Sequence, residues 1–110
     1  MTADARVASL RKQCDGPRDG ALLRYALGAA MLDADAAAEA CVELRRAVAF
    51  DPGYSAAWKL LGKACLASAD PAGATAAWRQ GIAVAQARGD VQAAKEMTVF
   101  LNRIKRDNRD

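Results

Sequence analysis

The chain has no histidine. That removes the commonest general base and the commonest metal ligand at neutral pH. Its three cysteines, Cys14, Cys41 and Cys65, are odd in number and far apart, with no C-x-x-C pair. A structural zinc site or a disulfide framework finds no support in that spacing. They read as three reduced thiols packed as small hydrophobes, which fits a cytoplasmic protein. No glycine-rich phosphate loop is present, and nearly every Asp falls where a helix starts, where capping accounts for it. The chain is therefore expected not to be an enzyme, with no catalytic residues, no cofactor and no metal. No run approaches the length of a membrane span, and residues 1–13 hold no apolar segment of a secretory signal. Neither a membrane nor a nucleic acid is expected as a partner. The net charge is only +3, and acidic and basic residues interleave instead of forming a basic face. The densest basic stretch, Arg103 to Arg106 with Arg109 beyond it, reads as a solvated helix end.

Prolines number three and aromatic residues make up 5%. About a quarter of the 110 residues are Ala, the best helix former. An all-α protein of one domain, 1–110, follows. Its organisation shows when the chain is shifted against itself by 34 residues. Leu27 then meets Leu61, Gly28 meets Gly62, Ala30 meets Ala64, Ala40 meets Ala74, and Leu44 meets Trp78. A period of this length built from two helices marks a stack of helical hairpins.

Punctuation divides the chain into about six helices. Val7, Leu10 and Cys14 lie on one stripe of an N-terminal helix, 3–14, closed by Asp15-Gly16-Pro17 with Gly16 as its cap. Helices are then expected over about 20–32 and 36–50, with Asp19 and Asp35 as N-caps. Asp51-Pro52-Gly53 turns the chain into a second hairpin, for which Ser55 is the cap candidate. Asp70-Pro71 starts its second helix and Gly89 ends it. Asp90 caps a final helix, 90–106, with Val91, Ala94, Met97, Leu101 and Ile104 on one face. Its other face, with Gln92, Lys95, Glu96, Asn102 and Arg103, is expected to meet water and to close the stack. Gly28 and Gly62 are expected at helix crossings, with small Ala40 and Ala74 opposite.

These residues resemble the tetratricopeptide repeat family. A first repeat, 21–54, carries Leu27-Gly28, Met31, Ala40, Leu44, Ala47 and Pro52. A second, 55–88, carries Trp58, Leu61-Gly62, Cys65, Ala74 and Trp78. Arg24 stands where the family usually has Trp, which suggests that this helix is partly covered by the N-terminal one. Gly81 and Gln86 depart from the usual Ala and Pro. The resemblance implies a right-handed α-α superhelix whose first helices line a concave groove. It places Leu22, Tyr25, Ala29 and Leu32, then Ala56, Lys59, Lys63 and Leu66, on that groove, with Lys95 nearby if the last helix stacks as a further first helix. Lys59 and Lys63 project from one side of α-helical turn spacing. The expected function is a protein-interaction module holding an acidic and apolar peptide or helix of another protein. Self-association as a homodimeric helical module is the second reading.

Overall fold

The structure, a computed structural model, describes residues 2–108, so Met1 and the tail residues Arg109 and Asp110 lie outside the described residues. The described residues form six helices and no strand: α1 Ala3–Arg11, α2 Ala21–Asp33, α3 Ala37–Phe50, α4 Ser55–Ala67, α5 Pro71–Arg88 and α6 Val91–Asp107. α2 pairs with α3 and α4 with α5, while α6 packs on α5 and touches α4. α2, α4 and α6 thus form one layer, with α3 and α5 behind it and α1 against α2.

The closeness of each hairpin follows from a glycine beneath a large side chain. A Cβ on Gly28 would fall 2.6 Å from Leu44 Cγ. A Cβ on Gly62 would overlap the Trp78 indole, whose Nε1 donates to the Lys59 carbonyl at 3.0 Å. Both partners stand at the same place in the period, Leu44 fully buried and Trp78 nearly so. Ala40 and Ala74 are also fully buried, and the atoms nearest the glycines belong to the large residue one helical turn beyond them. The vacancy left by a missing side chain is filled by the large residue one helical turn further on. Gly81 plays the same part between α5 and α6, facing Met97 and the Cβ of Trp58.

The period extends to backbone torsions. Asp35 and Ala69 both take left-handed φ, 59° and 62°, and the next N–H returns to a carbonyl five residues back, Ala36 to Met31 and Asp70 to Cys65, at 2.8 Å. Gly89 ends α5 in the same way, with φ 74° and Asp90 bonded to Ala85. Such closures satisfy carbonyls that a helix end leaves without partners.

Asp70 and Asp90 cap as expected, accepting from Gly73 N at 2.9 Å and Ala93 N at 3.2 Å. Three other caps are corrected. Asp35 cannot cap α3 because it is the left-handed residue closing α2; Ala36 holds the cap position. Ser55 is already helical and donates to Asp90 instead, at 3.0 Å. Asp19 is drawn away by Arg24, and Gly20 takes the cap position of α2. At the N-terminus α1 stops at Arg11, short of Cys14, and Asp15, with φ 65°, makes the turn that Gly16 was expected to make. α1 has no fully buried residue. Val7 and Leu10 of its apolar stripe pack half-buried against the core, and two exposed ion pairs add to this packing, Arg6 to Asp33 at 2.5 Å and Arg11 to Glu39 at 3.3 Å. Pairs of that kind contribute about 0–1 kcal/mol each.

Gly62→Ala is expected to lower stability by about 1–3 kcal/mol, because overpacking against Trp78 outweighs the better helix propensity of Ala. The urea midpoint reads this directly. An unchanged midpoint would mean that α4 and α5 part without loss.

Candidate functional site

Two polar clusters and one apolar cleft break the packing. The first cluster surrounds Arg24, whose side chain is only 5% exposed. Its Nε and Nη2 donate to the two carboxylate oxygens of Asp19 at 2.9 and 2.7 Å. Nη1 donates to Glu43 at 2.7 Å, and Nη2 also reaches Asp15 at 3.3 Å. Arg46 closes the network on the other oxygen of Glu43 at 2.7 Å. A buried guanidinium is tolerable only when its donors are met in this way. Asp19 is pulled down to about 2, chiefly by the hydrogen bond from Arg24 and then by the Asp15 amide. The turn between α1 and α2 is thereby fastened over the place where a large apolar residue was expected. Arg24 is covered by that turn and by Glu43 of α3, not by a side chain of α1.

The second cluster lies on the layer of α2, α4 and α6. Tyr25 is half-buried with its ring 5.1 Å from that of Tyr54. Leu22 is largely exposed, while Ala29, Leu32 and Ala56 are half-buried. Lys59 donates to Glu96 of α6 at 2.8 Å, and Gln92 donates to the other oxygen of that carboxylate at 3.2 Å. The Lys59 bond, more than any other contact, holds the Glu96 carboxyl below its ordinary range. Glu96 therefore does not lie on a purely solvated face, as its place in the sequence suggests. It is the anion that ties α6 to Lys59 of α4. Lys63 stands with its ammonium 5.1 Å from the Phe100 ring centroid. A cation over an aromatic face is worth about 0.5–1 kcal/mol where water has access.

Beside Lys63 a cleft of about 280 Å³ opens between α4, α5 and α6. Leu66, Trp78, Phe100 and Ile104 form its apolar walls; Lys63, Arg103 and Asp107 stand at its rim. Neither Lys63 nor Arg103 has a carboxylate within ion-pair distance among the described residues. Lys95 is not brought to this cleft. It lines another depression, with Gln86, Val91 and Val99, at the outer edge of α5 and α6.

The chain is 52% identical over 100 residues to TPR repeat-containing protein PA0015 of Pseudomonas aeruginosa, covering 91% of this chain and 95% of that protein. This chain belongs to the tetratricopeptide repeat family. A solution structure of protein BPP2914 from Bordetella parapertussis superposes with a TM-score of 0.79 at 42% identity, over 93% of this chain and 89% of that one. No family model matches the chain.

Within the tetratricopeptide repeat frame, α4 and α6 are neighbours whose facing side chains Lys59 and Glu96 satisfy each other. Tyr54, Glu96, Phe100 and Arg103 join the residues expected on this face. Phe100 and Arg103 carry one detectable sign: they sit four and seven residues beyond Glu96, on one stripe of α6. Among the described residues no three His, Cys, Asp or Glu side chains gather as metal ligands, and no helix is long and apolar enough to cross a membrane.

The Arg24 cluster sets a pH dependence. The folded value of Asp19, about 2, lies below its ordinary 3.8. Its contribution to stability is thus complete above about pH 4 and is lost as pH falls toward about 2. Asp19→Asn is expected to melt lower than the unaltered chain at pH 6, and the two melting temperatures should converge below about pH 2. Parallel curves down to that pH would show that Asp19 does not feel Arg24.

Proposed function

We propose that this chain is a protein-interaction module whose α2–α4–α6 face holds a segment of another protein that carries apolar and acidic residues. The observation that supports the reading is the cleft beside Lys63. It combines an aromatic and aliphatic floor with two cations that have no internal carboxylate partner among the described residues. An apolar side chain entering it removes surface from water, worth about 25 cal/mol per Å². An acidic neighbour on the same segment meets Lys63 and Arg103, which adds sign selection and faster encounter. Leu22 and Tyr25, with Ala29, Leu32 and Ala56, extend the surface along α2 and the start of α4. Lys59 acts differently from the original expectation: its charge is spent on Glu96, so it positions α6 and leaves recognition to Lys63. Lys95 contributes only if a bound segment runs on to the outer edge of α6.

Asp19 and Glu43 of the Arg24 cluster each accept hydrogen bonds on both carboxylate oxygens, which occupies them in holding the turn and α3 together. Self-association is the competing use of this face, because Leu22 and Leu66 are 72% and 45% exposed.

Phage-displayed peptides selected on the purified chain test the reading. Selected sequences are expected to pair an apolar with an acidic residue, and Lys63→Glu is expected to weaken them about tenfold, with a smaller loss at high salt. Lys59 and Glu96 are left intact so that α6 stays docked. Selected peptides without acidic residues, or indifference to Lys63→Glu, would overturn the proposal. A dimer in sedimentation that Leu66→Glu dissolves would transfer the face to self-association.

A further inference from the structure

Two of the three cysteines meet in the seam between the hairpins. Cys41 of α3 and Cys65 of α4 place their sulfurs 3.7 Å apart, and both are buried, at 4% and 0% exposure. The sequence separates them by 24 residues, and its spacing gives no sign that they meet. The surroundings are polar on one side only. Arg45 Nη2 donates to Cys65 Sγ at 3.6 Å and also lies 3.8 Å from Asp70. Ser68 Oγ lies 3.5 Å from Cys41 Sγ and donates to the Cys65 carbonyl at 3.0 Å. Cys14 is remote from the pair, its thiol bonded to the Leu10 carbonyl.

We propose that Cys41 and Cys65 are a dithiol modification site, which a hydroperoxide converts into a disulfide stapling α3 to α4. The chemistry balances with that oxidant. The Cys41 sulfur, the more accessible of the two, attacks the peroxide's outer oxygen as its thiolate. The O–O bond breaks, Cys41 becomes a sulfenic acid, and the remainder leaves as an alcohol, or as water from hydrogen peroxide, taking up the thiol proton. The Cys65 sulfur then attacks the Cys41 sulfur. The S–S bond forms, the S–OH bond breaks, and hydroxide leaves as water with the Cys65 proton. Two thiols lose two electrons and two protons, and one peroxide is reduced. The order of attack suits the site. Burial and the neighbouring Cys41 push the Cys65 thiol up to about 11, so Cys65 is the poor first nucleophile and the resolving partner. Arg45 beside it favours the thiolate when the second step comes.

The motion required is small. A disulfide sulfur pair sits about 2.05 Å apart, so the sulfurs close by roughly 1.7 Å through side-chain rotation and a slight approach of the helices. The bond would span the junction between the two hairpins and close a loop that the unfolded chain otherwise leaves open. Oxidation therefore fixes the angle between repeats and raises resistance to unfolding.

The test uses a Cys14→Ser chain, which removes the third thiol. It is treated with hydrogen peroxide at a dose that fully oxidises free glutathione, then digested with trypsin without reduction. The expected result is a protein lighter by two hydrogens, a cross-link joining peptides 25–45 and 64–79, and a melting temperature several degrees above that of the reduced form. Cys41→Ala or Cys65→Ala in the same background should abolish the rise on treatment. Free thiols after treatment, oxygen added without the cross-link, or a cross-link between two chains would each overturn the proposal.

Discussion

Everything in this molecule is hung on the absence of a side chain at Gly28 and Gly62. Each glycine lets its helix approach the next until backbone meets the face of a large residue, Leu44 in one hairpin and Trp78 in the other. Protein interiors are packed too densely to forgive an atom there. The depth of that approach fixes the distance between the two layers. It brings Trp78 Nε1 onto the Lys59 carbonyl, and α5 then presents Gly81 to Met97 of α6. Only with α6 seated so can Glu96 reach Lys59 and Phe100 come beneath Lys63. The chain of consequence runs from a missing methyl group to the shape and charge of the exposed face.

The two ends of the stack are finished by different physics. At the C-terminal end, α6 buries one apolar stripe on α5 and turns a charged stripe outward, as the end of a solenoid must. At the N-terminal end, α1 packs only half-buried residues, Val7 and Leu10, against the core. The buried Arg24 takes over, binding the turn through Asp15 and Asp19 and the next helix through Glu43. An ion network is a costly way to close a fold, since each charge must be fully paired. It is also directional, which suits a turn that has to be held in one place.

Local signals in the sequence were read well where the residue acts locally. Pro71 after Asp70 and Gly89 before Asp90 mark helix ends because their effect lies in backbone torsion and nearby N–H groups. Asp19, Asp35 and Ser55 look identical in sequence and behave otherwise, because each was claimed by something distant or by an unusual torsion. Glu96 and Arg103 were legible as positions on α6 but not as part of the candidate site. Their role depends on the rotation of α6 about its own axis, which is set by Gly81 and Met97. Cys41 and Cys65 were each read correctly as buried. That their sulfurs touch depends on the angle between α3 and α4, and no spacing in the chain encodes it.

The central claim is that a partner is held on the face shared by α2, α4 and α6, with the Lys59–Glu96 pair left closed. The most direct measurement is a backbone-amide NMR titration of the chain with a peptide that it binds. The account predicts shifts along Leu22, Tyr25, Lys63, Leu66, Phe100 and Arg103, with the signals of Lys59 and Glu96 little moved. Shifts confined to α3 and α5, or to Val91, Lys95 and Val99 at the outer edge, would contradict it.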